Sequence, residues 1–183
     1  MTRLNNVMRA RQGDVAAFEG LVGEHTRDVY RLARAIVGEA AAGDVVQDVF
    51  LAAWRDLPRL SHPERFRPWL HRIAVNRCRS LLRARARVRE ISMQAAGMEA
   101  SAVSADFRTL VESRAVVGTA YARLSVEHRT VLALHYAAGL TIHEVAEVLG
   151  IPTGTAKSRL NAALEALRRK LGETSDARQR SLA

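Results

Sequence analysis

The sequence predicts an all-α protein built as two small helical domains joined by a flexible linker. Three observations lead there. Helix formers such as Ala, Leu, Arg and Glu are plentiful, and Pro occurs only 4 times in 183 residues, so little breaks a helix. Apolar residues recur at three- and four-residue spacing in two long blocks. No stretch alternates apolar and polar side chains for long enough to make a strand. The blocks place the first domain over 14–88 and the second over 113–172, with a linker at 89–112 and a polar, fraying tail at 173–183.

Each element has its own signal. Asp14 is placed to cap a first helix carrying Ala17, Phe18, Leu21 and Val22. A second is expected over 27–37, with Val29, Leu32, Ala33 and Ile36 as its stripe and Gly38 as its end. A third should begin near Ala42 or Gly43 and run to Asp56, turning Val45, Val49, Ala52 and Ala53 inward. Pro58 stops it, and 57–67 forms a loop in which Ser61, three residues before Glu64, suggests a short capped turn. A fourth helix follows over 68–87. Residues 90–104, rich in Ser, Ala, Met, Gly and Gln, carry no sustained stripe and read as linker.

In the second block Ser125 can cap a helix through Tyr136, with Gly139 in the left-handed position at its end. Thr141-Ile142-His143-Glu144 is a capping box for a short helix lined by Ile142, Val145, Ala146 and Leu149 and closed by Gly150. After Ile151-Pro152, Thr153 is expected to cap a last helix striped by Ala156, Leu160, Ala163, Leu164, Leu167 and Leu171. A short capped helix, a Gly turn and a longer amphipathic helix describe a helix-turn-helix.

Lys and Arg number 28 against 19 Asp and Glu, a net charge of +9, so a polyanionic partner is a reasonable expectation. The arrangement sharpens it. From Arg65 to Arg89 there is no acidic residue, and Arg72, Asn76, Arg79 and Arg83 share one helix face opposite Leu70, Ile73, Ala74, Cys78 and Leu81. Like charges on one face repel, and a phosphate backbone would relieve that repulsion while releasing counterions. Phe66, Trp54 and Trp69 lie beside this face, where aromatic rings could stack on bases or serve the core. On the last helix Thr155, Lys157, Ser158, Arg159 and Asn161 stand near the N-terminal end, where a recognition helix meets base edges; the macrodipole alone would prefer acids there.

The exclusions are equally useful. A single cysteine, Cys78, rules out an internal disulfide and a multi-cysteine zinc site; its arginine neighbours would suit a redox switch, but one small buried helical side chain is the favoured reading. The six histidines show no ligand spacing, and no glycine loop, His-Glu-x-x-His pair or nucleophile elbow is present, so no metal, cofactor or enzymatic activity is expected. Residues 1–13 lack a signal-peptide run and nothing approaches a membrane span, which points to the cytoplasm without membrane insertion. A regulator with a sensing domain would share the helix-turn-helix but has no need of an arginine face on the first block.

The segment Asp44-Val45-Val46-Gln47-Asp48-Val49-Phe50-Leu51-Ala52-Ala53-Trp54 resembles region 2.2 of extracytoplasmic-function (ECF) sigma factors of the sigma-70 family. Phe66-Arg67-Pro68-Trp69-Leu70-His71-Arg72-Ile73-Ala74-Val75-Asn76-Arg77 resembles region 2.4. Residues 140–171, with Gly150-Ile151-Pro152-Thr153-Gly154-Thr155-Ala156-Lys157-Ser158-Arg159-Leu160, resemble region 4.2. The likeness covers both blocks in the family's order. It implies a sigma region 2 bundle and a sigma region 4 helix-turn-helix that bind core RNA polymerase and recognise the −10 and −35 promoter elements. Asp44, Gln47 and Asp48 would dock on the β′ clamp helices, and region 4 on the β flap. Phe66, Arg72, Asn76, Arg79 and Arg83 would meet the −10 region, and Thr155, Lys157, Ser158, Arg159 and Asn161 the −35 region. The 57–66 loop would hold a base flipped from the non-template strand. The likeness also implies an anti-sigma protein as a partner. Where the family often carries acids before Asp44, this chain has Ala41, Ala42 and Gly43; past Leu160 it has Asn161, Ala162, Ala163, Leu164 and Glu165 in place of basic or aromatic residues.

Overall fold

The computed structural model describes residues 3–96 and 112–182, and all regular structure among them is helical. The helices are α1 (Arg3–Arg11), α2 (Val15–Val37), α3 (Glu39–Asp56), α4 (Phe66–Ala96), α5 (Glu112–Ala122), α6 (Val126–Leu132), α7 (Ile142–Leu149) and α8 (Thr153–Leu182). The all-α, two-unit reading of the sequence holds. α1 through α4 form a bundle; α5 through α8 form a second unit around the helix-turn-helix.

Several boundaries differ from expectation, each for a local reason. α1 precedes the first expected helix and packs Val7 and Ala10 onto α2. The two helices expected between Asp14 and Val37 are one. Ala17, Leu21, His25, Val29, Leu32, Ala33 and Ile36 keep a single buried stripe, and Gly23 interrupts neither it nor the backbone ladder. Asp14 does cap α2, accepting from the Ala17 amide at 3.0 Å while its other oxygen takes the Arg9 Nε–H at 2.8 Å. Gly38, at φ 89°, makes the corner, so α3 starts at Glu39 rather than at Ala42 or Gly43. Between α3 and α4 two short 3₁₀ turns, Leu57–Arg59 and Pro63–Arg65, replace the expected loop. The second has no side-chain cap, and Ser61 does not supply one; His62 Nδ1 and Glu64 Oε1 meet at 3.0 Å instead.

α4 begins at Phe66, with Pro68 tolerated in its first turn, and runs on to Ala96 through residues assigned above to the linker. Residues 97–111 of the expected linker lie outside the described residues. The expected fraying of 173–183 is not what the backbone shows, since α8 extends to Leu182; its side chains beyond Glu173 also lie outside the described residues. In the second unit Ser125 caps α6 through the His128 amide, as expected. The helix then widens into a π segment at Ala133–Ala137, which the sequence did not announce, before Gly139 turns at φ 65°. The Thr141 capping box is complete: the Glu144 amide donates to Thr141 Oγ1 at 3.3 Å and the Thr141 amide to Glu144 Oε2 at 2.8 Å. Thr153 is already helical; the Ala156 amide closes on the Pro152 carbonyl at 3.0 Å, which makes Pro152 the cap in place of Thr153.

The two units touch. α2 lies against α6 and the π segment, α4 lies against α7, and their buried side chains join one apolar cluster running from Val7 to Ala166. No helix among the described residues is long and apolar enough to cross a membrane.

Candidate nucleic-acid interface

α4 sorts its side chains as its periodicity requires. Leu70, Ala74 and Cys78 are fully buried, with Ile73 and Leu81 packed against the core. Arg72, Asn76 and Arg83 are exposed, and Arg79 is half-buried, so the four lie along one outer face of the helix. Arg83 Nη2 donates to Ser80 Oγ at 3.3 Å, which leaves its other donors pointing outward. A row of guanidiniums beside an amide side chain can grip a phosphate backbone and reach a base edge.

Phe66 does not belong to that surface. It is 4% exposed, with its ring 5.4 Å from His25 and 5.7 Å from Trp69, so it anchors the start of α4 in the core. The sequence could not distinguish the two uses of an aromatic at a loop-to-helix junction. Trp69, half-buried, remains at the surface beside Phe66, and Trp54 stands 37% exposed against Phe18, ring centroids 4.8 Å apart.

On α3, Asp44, Gln47 and Asp48 are exposed on one side while Val45 and Val49 face the core. Ala41 and Ala42 are buried, so side chains there would serve packing rather than docking; Gly43 is exposed. The acidic surface is continued by exposed Leu51 one turn along. A small acidic and apolar patch of this kind suits a protein partner.

On α8, Thr155, Lys157, Ser158 and Asn161 are exposed, Ala156, Leu160 and Ala163 are buried, and Ser158 Oγ donates to the Thr155 carbonyl at 3.0 Å. Arg159 is partly engaged, its Nη2 3.8 Å from Glu127 Oε2 across to α6. Gly150, at φ 67°, sets the turn that aims α8 away from α7.

Sequence reasoning missed where the two units meet. Arg65 pairs with Glu147 of α7, Arg67 donates to the Ala138 carbonyl at the end of the π segment, and Arg72 Nη2 donates to the Glu147 carbonyl at 2.5 Å. An open groove of about 700 Å³ runs along this seam, lined in part by Arg59, His62, Trp69, His143 and Thr153. Only the acid-free run 65–89 hinted that Arg65 and Arg67 had a task. Nothing local pointed to Glu147.

Two buried groups on α4 are electrostatically unusual. His71, 1% exposed, has its pKa pushed down to about 4, first by burial and then by the Arg67 charge, against the opposing pull of Asp28. Cys78 is buried, and its thiol is pushed up to about 12 by that burial, so it is inert rather than poised for redox chemistry. Among the described residues no group of His, Cys, Asp and Glu could hold a metal ion.

Comparison with known proteins agrees with this geometry. The family model described as sigma-70 region 2 matches residues 21–88, and that described as sigma-70, region 4 matches residues 120–169. The chain is 36% identical over 161 residues to the ECF RNA polymerase sigma factor SigM of Mycobacterium tuberculosis, spanning 87% of this chain and 80% of that protein. It is 34% identical over 177 residues to SigL of the same organism, spanning 91% and 96%. Among solved structures, CnrH in complex with the cytosolic domain of CnrY is similar, with a TM-score of 0.65 at 29% identity, covering 95% of this chain and 97% of that one.

Proposed function

This chain belongs to the sigma-70 family, among its extracytoplasmic-function members, and from that premise we propose how its residues divide the work of promoter-specific transcription initiation. The exposed α3 surface of Asp44, Gln47 and Asp48 docks on the β′ clamp helices of core RNA polymerase. The second unit meets the β flap and lays α8 into the major groove at the −35 element, using Thr155, Lys157, Ser158, Arg159 and Asn161. α4 holds the −10 region: Arg72, Arg79 and Arg83 neutralise phosphates while Asn76 reads a base edge. A base flipped toward the 57–66 loop offsets part of the unstacking cost, a few kcal/mol. The chain contributes no catalytic group; RNA synthesis belongs to the polymerase, and the protein works in the cytoplasm. Surfaces this exposed are open to capture by an anti-sigma protein, as CnrH is found with the cytosolic domain of CnrY.

The observation that carries the reading is the one-sidedness of α4: a helix face of arginines and one asparagine backed by an apolar core. Two paired variants test it. Asp44→Ala with Gln47→Ala should weaken binding to purified core polymerase about tenfold or more, with run-off transcription falling in step. Arg79→Ala with Arg83→Ala should leave polymerase binding intact and lower promoter opening. Unchanged polymerase affinity in the first pair removes α3 from docking, and unchanged opening in the second removes α4 from DNA.

A further inference from the structure

α4 outruns the bundle it belongs to. Leu70, Ala74 and Cys78 are buried, and Leu81 and Leu82 still pack against the core, but every residue from Arg83 to Ile91 is exposed. About two and a half turns of helix therefore stand clear of the rest of the fold. We propose that this arm is a docking surface for one amphipathic helix of another protein, with apolar side chains along its contact edge and acidic ones on both flanks.

The residues of the arm specify that occupant. Leu81, Ala84, Val88 and Ile91 alternate three- and four-residue spacings, the pattern that lets one helix lie along another. At about 100° per residue, Ala84, Val88 and Ile91 fall within about 60° of arc. Val88 and Ile91, 63% and 60% exposed, are the large side chains of this stripe beyond the core. Arg87 borders the stripe on one side and Arg85 on the other, with Arg83 and Arg89 further out on the same two sides. Glu90, the one acid between Arg83 and Ile91, lies on the back of the helix.

Cationic flanks on both sides decide between partners. A second copy of the chain would set arginine against arginine, whether the two arms ran parallel or antiparallel. A partner helix with Glu or Asp at its flanking positions faces an arginine on each side instead. A nucleic-acid backbone satisfies the arginines but gains nothing from Val88 and Ile91, whereas a helix covers both. Such a partner also supplies the lateral packing that a protruding helix otherwise lacks. The stripe contains none of Arg72, Asn76, Arg79 and Arg83, so the docking stands or falls separately from the promoter-facing role of α4.

The probe is a labelled synthetic peptide of about four heptads, with Ile and Leu at its core positions and Glu at both flanking ones, which repels its own copies. It should bind the full-length chain in fluorescence anisotropy, while the same peptide with Lys in place of Glu should not. Val88→Gln with Ile91→Gln, which keeps good helix formers in the arm, should weaken binding about tenfold or more. Arg85→Glu with Arg87→Glu should abolish binding of the Glu peptide and create binding of the Lys peptide, a gain that an unfolded arm would not give. A wild type that binds neither peptide, a Gln pair that binds as well as the wild type, or a reversed pair with unchanged preference would each overturn the proposal. A DNA duplex that displaces the peptide from the wild type and binds the Gln pair equally well would make the arm a nucleic-acid contact in its place. Self-association of the wild type in sedimentation, lost in the Gln pair, would make the occupant a second copy and overturn the acidic helix.

Discussion

Acidification should weaken the fold through one side chain, His71. Its imidazole lies buried on α4 among His25 and Asp28 of α2, and it is within electrostatic reach of Glu144 on α7. Neither ring nitrogen meets a partner at hydrogen-bonding geometry, and the Arg67 carbonyl one turn back favours the charged form only weakly. Burial therefore dominates and lowers the pKa from 6.5 to about 4. Because this pKa is depressed on folding, the unfolded chain binds the extra proton between those two values. Stability is then full above pH 6.5, falls as pH drops toward 4, and loses nothing more to this group below that. At 1.36 kcal/mol per unit, the loss between about pH 7.5 and pH 5 comes to about 2 kcal/mol, reaching about 3 kcal/mol at pH 4. Urea unfolding of the wild type and of His71→Leu at a series of pH values measures it, since the variant keeps apolar volume and every other titrating group. The wild-type curve should fall below that of the variant by this amount as pH is lowered. A difference that stays flat from pH 7.5 to 5 would refute the argument.

Three further outcomes can be measured directly. On the proposed role of Arg79 and Arg83 as phosphate ligands, Arg79→Ala with Arg83→Ala should make the plot of log affinity against log salt shallower by about 1.4 to 1.8 in holoenzyme–promoter titrations; an unchanged slope would mean that neither side chain meets a phosphate. Thr141→Ala breaks the capping box at the entry to α7 and should cost about 1 kcal/mol in thermal or urea unfolding, with Thr141→Ser recovering most of it. Cys78, buried with its thiol pushed up to about 12, should resist a thiol reagent at pH 8 in the native protein and react promptly once urea unfolds it; fast native labelling would show that the α4 core opens on its own.

How far the sequence could be read depended on the range of the interaction. The Asp14 and Ser125 caps, the Thr141–Glu144 box and the Gly139 and Gly150 turns each join residues a few positions apart, and all stand where their sequence signals put them. The faces of α3, α4 and α8 followed from periodicity: Val45, Leu70 and Ala156 are buried, while Asp48, Arg72 and Lys157 are exposed. Errors arose where two local readings were equally satisfied. Phe66 at a loop-to-helix junction fits a stacking platform or a core anchor, and only its packing against His25 and Trp69 decides between them. A helix break was expected between Val22 and Arg27, yet the i, i+4 run Leu21, His25, Val29 continues through it, because tertiary burial outweighs the propensity cost of one glycine, about 1 kcal/mol.

What the sequence determined alone is the helical class, the register of each amphipathic face and the concentration of positive charge on α4, because these depend on neighbours within a turn or two. Tertiary structure decided what that charge meets. Arg65 and Glu147 are separated by 82 positions and Arg72 and Glu147 by 75, distances over which no periodicity carries information. The same holds for His71, whose pKa is lowered first by a burial that no single helix supplies and only then by Arg67 of its own helix. Burial and pairing are properties of the assembled surface, and they exist only once the helices are packed.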